Sequence, residues 1–370
     1  MTTGAMTGAM TGAPRLRDLG VAIGTLPTGP ANAIVDVAGI AVGHVTLSDG
    51  DVQTGVTAIV AHAGHPFRDK LPAAVHVING FGKSTGLMQL AELGALETPV
   101  VLTNTLSVGT ASTALVRHML AATPEIGAST GTVNPVVMEC NDGAWLNDIR
   151  GLHVTEDDAR RALDAAGPEV AEGNLGAGTG MSCYGLAGGI GTASRVVERG
   201  PRRYTTGALT LCNMGRMEDL RVDGRPVGRL VAERLAAEKA APEKAGRDGR
   251  EHGSIIVVLA TDAPLDARQL RRLAVRAGAG LARTGTHFGS GSGDLVLAFA
   301  TAETLPHTMP DDPETIRRAL HEDALDPLFR AAIEATEEAI LNALLAARPT
   351  AGRKGRRRRS LAEFADLVTP

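Results

Sequence analysis

The sequence predicts a mixed α/β (α+β) fold, layered as a helix–sheet–sheet–helix sandwich. Three observations lead to this class. Apolar runs of strand length are mixed with segments of helical periodicity along the whole chain. Their order lacks the regular strand–helix repeat that builds TIM barrels and Rossmann domains. Aromatic residues make up only 2% of the chain and glycine occurs 45 times, so the core must be built from small aliphatic side chains in closely packed elements.

The predicted strands are short apolar runs bounded by turn residues. The turn Asn79-Gly80, for example, ends the fourth of them. In chain order these strands are 33–37, 40–45, 56–61, 74–78, 99–102, 136–140, 204–212, 255–260 and 295–300.

The predicted helices have apolar residues at helical spacing or recognisable end signals. Gly94 is placed to end the first helix, and Thr155 with Asp158 forms a variant of the capping box. The helices are 86–93, 110–121, 155–166, 225–239, 266–281 and 326–347. A glycine-dense loop is expected over 173–191. The sequence has few stretches that look like linkers between separate domains. Residues 14–370 are therefore interpreted as a single catalytic domain.

Composition and charge favour a globular protein of the cytoplasm. Hydrophobic residues make up 44% of the chain and charged residues 21%, and the net charge of -4 gives no reason to expect nucleic acid or membrane as a partner. Three cysteines without CxxC spacing argue against a disulfide framework. No apolar run is long enough to span a bilayer. The repeated Met-Thr-Gly-Ala of residues 1–13 lacks the features of a secretory signal and is interpreted as a disordered leader.

Several partial motifs do not hold. Gly82-Lys83-Ser84 lacks the earlier glycine of a P-loop, and no register of 173–180 gives the dinucleotide-binding pattern. The HxxH pair at His62 has no accompanying ligands for zinc. The basic run 353–359 lacks aromatic interleaving, so a solvated turn and edge strand is the favoured interpretation.

The most informative junction is Gly253-Ser254, where a charged segment running from Glu238 to His252 meets the apolar strand 255–260. A hydroxyl there lies where a loop joins a rigid scaffold, which suits a nucleophile. If the bond between Gly253 and Ser254 were cut, Ser254 would carry a free α-amine beside its hydroxyl. One residue would then supply both the nucleophile and the base.

Seven segments, taken in order, resemble the self-processing serine aminopeptidases of the L-aminopeptidase/D-Ala-esterase/amidase type, which include the β-peptidyl aminopeptidases. The resemblance covers about residues 15–370. The segments are 36–46, 103–109, 146–149, 178–181, 188–195, 253–262 and 291–294.

The resemblance implies a precursor that cuts itself between Gly253 and Ser254 into a larger chain, 1–253, and a smaller chain, 254–370. It implies a sandwich like that of N-terminal-nucleophile hydrolases, but with different connectivity. It also implies a homo-oligomer, a tetramer of processed heterodimers, and neither a metal nor an organic cofactor.

The resemblance also assigns roles at the site. Ser254 is the nucleophile, Ser292 is expected to hydrogen-bond to it and relay its proton, and Asp294 is expected to orient Ser292. Asn213 matches the asparagine that stabilises the oxyanion. Trp145 stands where the family often carries a tyrosine, and indole donates a hydrogen bond but neither accepts one nor ionises. The flanking Gly253 and Gly291 complete the expected site.

The sequence therefore predicts an enzyme that removes small N-terminal residues from peptides, amides or esters through an acyl-enzyme on Ser254. Two alternatives stay open. One is an amide hydrolase or acyltransferase with a non-peptide substrate, of the nylon-oligomer-hydrolase kind, on the same scaffold. The other is an unprocessed binding protein without enzymatic activity.

Overall fold

The computed structural model describes residues 13–238 and 253–369. The expected leader, apart from residue 13, and segment 239–252 before Gly253 lie outside the described residues. The helices are α1 (Leu87–Leu93), α2 (Val108–Ala122), α3 (Glu156–Asp164), α4 (Val227–Ala237), α5 (Ala267–Arg283), α6 (Asp326–Ala346) and α7 (Ala365–Val368).

The strands of the first half of the chain are β1 (Ala41–Asp49), β2 (Val52–Val60), β3 (Asp69–Gly80), β4 (Ala95–Leu96), β5 (Val100–Asn104), β6 (Val136–Cys140), β7 (Ser182–Cys183) and β8 (Leu186–Ala187). Those of the second half are β9 (Gly189–Arg199), β10 (Arg202–Asn213), β11 (Ser254–Thr261), β12 (Gly293–Ala300), β13 (Leu305–Pro306), β14 (Thr350–Ala351) and β15 (Arg357–Arg358).

Two sheets form the centre of the molecule. The larger has the order β13-β3-β12-β11-β10-β9, with β4 added beside β3, and the smaller has the order β1-β2-β5-β6. One apolar core packs α5 and α6 against the larger sheet, a second lies between the two sheets, and a third packs α2 and α3 against the smaller sheet. The order of layers is helix, sheet, sheet, helix, which confirms the predicted fold class.

Strand β11 is buried on both faces. Its apolar residues from Ile255 to Ala260 are all 0% exposed, and they alternate between the core under the helices and the core between the sheets. Its neighbours are β10, antiparallel, and β12, parallel. A strand held in this way gives its first residue, Ser254, a fixed position at the end of the sheet.

Two sequence predictions were wrong. Segment 33–37 is a 3-10 turn over Ile34–Asp36, because the Asp36 carboxylate accepts hydrogen bonds from the amides of Ala31 (2.9 Å) and Ala33 (3.0 Å) and so caps a turn. The segment 173–191, expected to be a glycine-dense loop, contains the short strands β7 and β8 and the first residues of the long strand β9. Its glycines permit close packing, since a Cβ on Gly191 would lie 1.9 Å from the carbonyl oxygen of Ala339 in α6.

The basic run forms a 3-10 turn at Arg353–Gly355 followed by the two-residue strand β15, which pairs with β14. The interpretation of this run as a turn and edge strand is confirmed. Throughout the described ranges, each helix is either too short or too polar to cross a membrane.

Candidate active site

Ser254 is the first residue of β11 and is only 5% exposed. Its hydroxyl donates to the carbonyl oxygen of Gly253, at 2.6 Å, and its Oγ accepts from the amide of Gly293, at 3.2 Å. The uncut chain therefore holds the serine oxygen against the peptide group that precedes it. This contact places the hydroxyl beside the carbonyl group that it would have to attack in self-cleavage.

Gly253 has a backbone φ of +145°, a conformation that residues with a side chain rarely adopt. A Cβ here would lie 2.1 Å from the carbonyl oxygen of Asn213 and 2.8 Å from the Cα of Met214. Both the backbone conformation and the space require glycine at this position.

Ser292 and Asp294 flank Gly293, the residue that pairs with Ser254 across β11 and β12. Both are buried, at 2% exposure. Ser292 Oγ lies 2.5 Å from Asp294 Oδ2 and 2.7 Å from the carbonyl oxygen of Gly289, either of which accepts its proton. Gly291 lies within the turn that the Ser292 amide closes onto Gly289 O, at 2.9 Å.

Within the described residues, Ser254 and Ser292 do not hydrogen-bond directly to each other. Ser254 Oγ is engaged by Gly253 and by the amide of Gly293, while Ser292 Oγ is engaged by Asp294 and Gly289. In the uncut chain, the link between the two serines is the backbone of Gly293.

Asn213 is the last residue of β10 and lies opposite Ser254 in the register of β10 and β11. Its Oδ1 accepts from the amide of Ser182 at 2.9 Å, and its Nδ2 donates to the carbonyl oxygen of Asn141 at 3.0 Å. These two bonds fix the orientation of the amide and leave one Nδ2 hydrogen for another acceptor. A fixed amide donor beside a nucleophile is suited to stabilise an oxyanion.

Asn79, at the end of β3, belongs to the site, and the sequence interpretation missed it. Its Nδ2 lies 3.3 Å from Ser292 Oγ, 2.5 Å from Ser292 O and 3.0 Å from Gly289 O. Because an amide nitrogen only donates, Ser292 Oγ must act as the acceptor in this contact. The proton of Ser292 is thereby directed towards Asp294 or Gly289.

Glu139 in β6 was also missed, although a charge inside the apolar strand 136–140 was a visible signal. It is 3% exposed. Its carboxylate accepts from the amide of Lys83 at 2.8 Å and from the hydroxyl of Thr105. A Cβ on Gly82 would lie 3.5 Å from Glu139 Oε1 and 3.8 Å from Gly293 Cα, so this carboxylate and the serine cluster border the same glycine.

Trp145 is half-buried beside the basic run. Its Nε1 donates to the carbonyl oxygen of Arg357 at 3.3 Å. The guanidinium groups of Arg356 and Arg358 lie over its ring, with Cζ 4.7 Å and 4.2 Å from the ring centroid. The indole is thus bound to the C-terminal segment of the chain.

A further buried carboxyl, that of Asp142, follows directly after Asn141. It accepts from Thr54 Oγ1 at 2.6 Å and from Asn147 Nδ2 at 2.9 Å. Burial raises the pKa of Asp142 to about 7, with a smaller contribution from the negative charge of Glu139, and the two hydrogen bonds oppose the shift.

The arrangement as a whole supplies a nucleophile, a buried serine–carboxylate pair and a fixed amide donor at one end of the larger sheet. The part of the chain described here contains no group of three or more His, Cys, Asp or Glu side chains that is suited to hold a metal ion. A sandwich of two sheets between helices, with a buried serine at the first position of a central strand, is the architecture of the N-terminal-nucleophile hydrolase fold.

Comparisons with known proteins show to which protein family the chain belongs. The model of peptidase family S58 matches residues 32–358. The β-peptidyl aminopeptidase BapA of Sphingosinicella microcystinivorans is 43% identical over 357 residues, covering 92% of this chain and 88% of that protein.

Solved structures agree with this assignment. The PH0078 protein of Pyrococcus horikoshii OT3 superposes with a TM-score of 0.89 at 45% identity, covering 96% of this chain and 98% of that one. The L-aminopeptidase D-Ala-esterase/amidase of Ochrobactrum anthropi, described as a variant of the Ntn hydrolase fold, gives a TM-score of 0.85 at 39% identity, with 96% and 99% covered. The chain belongs to peptidase family S58, and it is a serine aminopeptidase.

Proposed function

We propose that this aminopeptidase activates itself by cutting the bond between Gly253 and Ser254 and then releases small N-terminal residues from peptides, amides or esters. The observation that carries the proposal is the 2.6 Å contact between Ser254 Oγ and the carbonyl oxygen of Gly253. This contact joins the candidate nucleophile to the peptide group that it would attack.

In the self-cutting step, Ser254 Oγ forms a bond to the carbonyl carbon of Gly253, and the bond from that carbon to the Ser254 nitrogen breaks. The hydroxyl proton passes to the departing nitrogen, with Ser292 and Asp294 as the nearby buried groups that take part in its transfer. Water then hydrolyses the resulting ester, which yields the Gly253 carboxylate and restores the Ser254 hydroxyl.

In turnover, the freed α-amine of Ser254 is the base. Its reference pKa of about 7.7–8.0 leaves a useful neutral fraction near pH 7. The amine takes the hydroxyl proton as Ser254 Oγ bonds to the substrate's scissile carbonyl carbon, and the remaining hydrogen of Asn213 Nδ2 stabilises the oxyanion. The scissile bond then breaks, and the proton passes from the α-ammonium to the leaving amine or alcohol. The acyl-enzyme on Ser254 is then hydrolysed by water.

Glu139 supplies the selectivity for a free N-terminus. A carboxylate that is 3% exposed and borders the serine cluster favours a cation as its partner. The substrate's terminal ammonium is that cation. We include N-terminal β-residues among the substrates because the BapA relative, 43% identical, is named a β-peptidyl aminopeptidase.

A paired substrate screen tests this proposal. Small L-, D- and β-aminoacyl amides are each offered with a free and with an acetylated N-terminus. We expect hydrolysis of the free forms only, and we expect Glu139→Gln to lower kcat/KM for the free forms by at least about tenfold, since a charged hydrogen bond contributes about 1.5–3 kcal/mol. Equal hydrolysis of acetylated substrates would contradict the assignment of Glu139.

We also propose that the processed chains assemble as a tetramer of heterodimers in the cytoplasm. The resemblance within the family supports the assembly, and three buried cysteines in the thiol form support a reducing compartment. Light scattering after size-exclusion chromatography, with a denaturing gel of the same peak, tests the assembly. A processed protein that elutes as a single heterodimer would contradict it.

A further inference from the structure

The side chain of Asn213 is held by two short segments that lie far apart in the sequence. Its Nδ2 donates to Asn141 O, in the turn after β6, and its Oδ1 accepts from the amide of Ser182, in the hairpin of β7 and β8. The direction in which the remaining Nδ2 hydrogen points therefore depends on the relative position of these two segments.

The C-terminal strap, defined here as residues 353–359, bridges the same two segments. On the side of the β6 turn, the Arg353 amide donates to Leu146 O at 2.7 Å, and Trp145 Nε1 donates to Arg357 O. On the side of the hairpin, the Ala187 amide donates to Arg359 O at 2.8 Å. The strap thus connects both supports of Asn213.

One side chain of the strap contacts both supports at once. The Arg358 guanidinium lies over the Trp145 ring, at 4.2 Å, and its Nε donates to Ser182 Oγ at 3.2 Å. Ser182 is the residue whose amide holds Asn213 Oδ1. A guanidinium stacked on an indole is attracted to the face of the ring, so this contact favours one position of the Arg358 side chain.

We propose that Arg358 is a positioning residue for the oxyanion donor: stacked on Trp145 and bonded to Ser182, it fixes the amide of Asn213 in the orientation that stabilises the transition state. The inference rests on the proposed function of Asn213. It gives the basic run a role in the catalysis of this chain without contact to the substrate, and it gives Trp145 the role of a platform for Arg358.

The test compares kcat and KM of self-cleaved Arg358→Ala, Asn213→Ala and the double variant with those of the wild-type protein. We expect Arg358→Ala to lower kcat by about tenfold to a hundredfold with little change in KM, because a small misplacement of a catalytic group has effects of this size. Asn213→Ala is expected to lower kcat by about 10²–10³. The double variant should be no slower than Asn213→Ala alone.

The matched control is Arg357→Ala. This side chain is exposed in the same strap, and the substitution keeps the carbonyl oxygen that accepts from Trp145. Its kcat should stay within about twofold of the wild-type value. Arg358→Lys keeps the positive charge but loses the planar group and Nε, so it should behave like Arg358→Ala.

The outcomes separate this inference from the proposed function. Wild-type kcat in Arg358→Ala, or losses that multiply in the double variant, would overturn the inference while Asn213→Ala stays impaired. Wild-type kcat in Asn213→Ala would overturn the role of Asn213 itself. If Arg358→Ala does not fold, Arg358→Lys and Trp145→Ala carry the same comparison. If it folds but stays uncut, its self-cleavage rate replaces kcat, because that step also forms an oxyanion.

Discussion

Gly253 lies so close to Asn213 that a Cβ atom on the glycine would be 2.1 Å from the Asn213 carbonyl oxygen. The residue before the proposed nucleophile is therefore packed against the strand that carries Asn213, the proposed oxyanion donor. Its φ of +145° adds a conformational reason for glycine at this position.

Gly253→Ala should consequently slow or prevent self-cleavage. The methyl group must push the peptide away from Asn213, and the new residue strains the backbone by about 1–3 kcal/mol. The uncut fraction over time, followed on a denaturing gel, measures the effect. Gly109→Ala is the control, since a Cβ there meets nothing within 4 Å, and it should process at the wild-type rate. Normal processing of Gly253→Ala would show that this close packing is not needed.

Ser292→Ala and Asp294→Asn should slow both self-cleavage and turnover. Both side chains are buried, and their 2.5 Å contact lies beside Gly293, whose amide bonds to Ser254. The effect is expected to be about 10²–10⁴, the range of general acid–base catalysis. The exposed Ser290→Ala, in the same turn, is the matched control. If both variants had wild-type rates at matched stability, Ser292 and Asp294 would have no part in moving the proton of Ser254.

Asn79→Ala should lower the rates of both steps by about tenfold. Its amide is the donor that leaves the Ser292 proton directed towards Asp294 or Gly289, and a buried polar group that loses its partner costs about 1–3 kcal/mol. Asn79→Asp replaces a donor with an acceptor near Asp294 and should be slower still. If Asn79→Asp were as active as the wild-type protein, the direction of this hydrogen bond would be wrong.

The buried carboxyl of Asp142 predicts a pH dependence of stability. Its pKa is about 7 in the folded protein and near the ordinary value of about 3.9 in the unfolded chain, so the folded state binds more protons between these values. The free energy of unfolding therefore falls as pH rises from about 4 to 7, by up to about 1.4 kcal/mol per pH unit from this group. Above about pH 7 the carboxyl is ionised in both states, so its contribution to the free energy of unfolding no longer changes with pH.

Asp142→Asn should remove this slope, so its stability relative to the parent should increase between pH 5 and 7.5. Denaturant unfolding in a Ser254→Ala background keeps one uncut chain in both proteins. Burial also raises the pKa values of Glu172 and Glu337 to about 7. Both residues are present in the parent and in the variant, so their contributions cancel in the difference between the two unfolding free energies. The exposed Asp49→Asn is the control. A stability difference independent of pH would contradict the protonation of Asp142.

Patterns local in sequence predicted most of the fold. Strand β6 was predicted at its observed bounds, and the capping box of Thr155 and Asp158 is present. Strand β9 was missed because its glycines are typical of loops, whereas in the fold Gly191 lets α6 pack closely against the sheet. The local sequence pattern holds no information about such a contact between residues far apart in the chain.

The residues of the candidate site that lie within a sequence motif were predictable. Those that are brought to the site only by the pairing of distant strands were not. Ser254, Ser292 and Asp294 lie in recognisable segments. Asn79 contributes only because β3 pairs with β12, which brings it to a serine 213 residues away. Glu139 was visible as a charge in an apolar strand, but its importance depends on the opposing sheet. The pairing of Trp145 with Arg358 is likewise a long-range contact.

The central claim is that Ser254 becomes an N-terminal residue, and the most direct test is the intact mass of the purified protein together with N-terminal sequencing of its smaller chain. We expect two chains that remain associated, because β11 is buried in the core on both faces, with the smaller chain beginning Ser-Ile-Ile-Val. The Ser254→Ala variant should remain one chain. A single wild-type chain of full mass after long incubation, or a cut at another bond, would contradict the account.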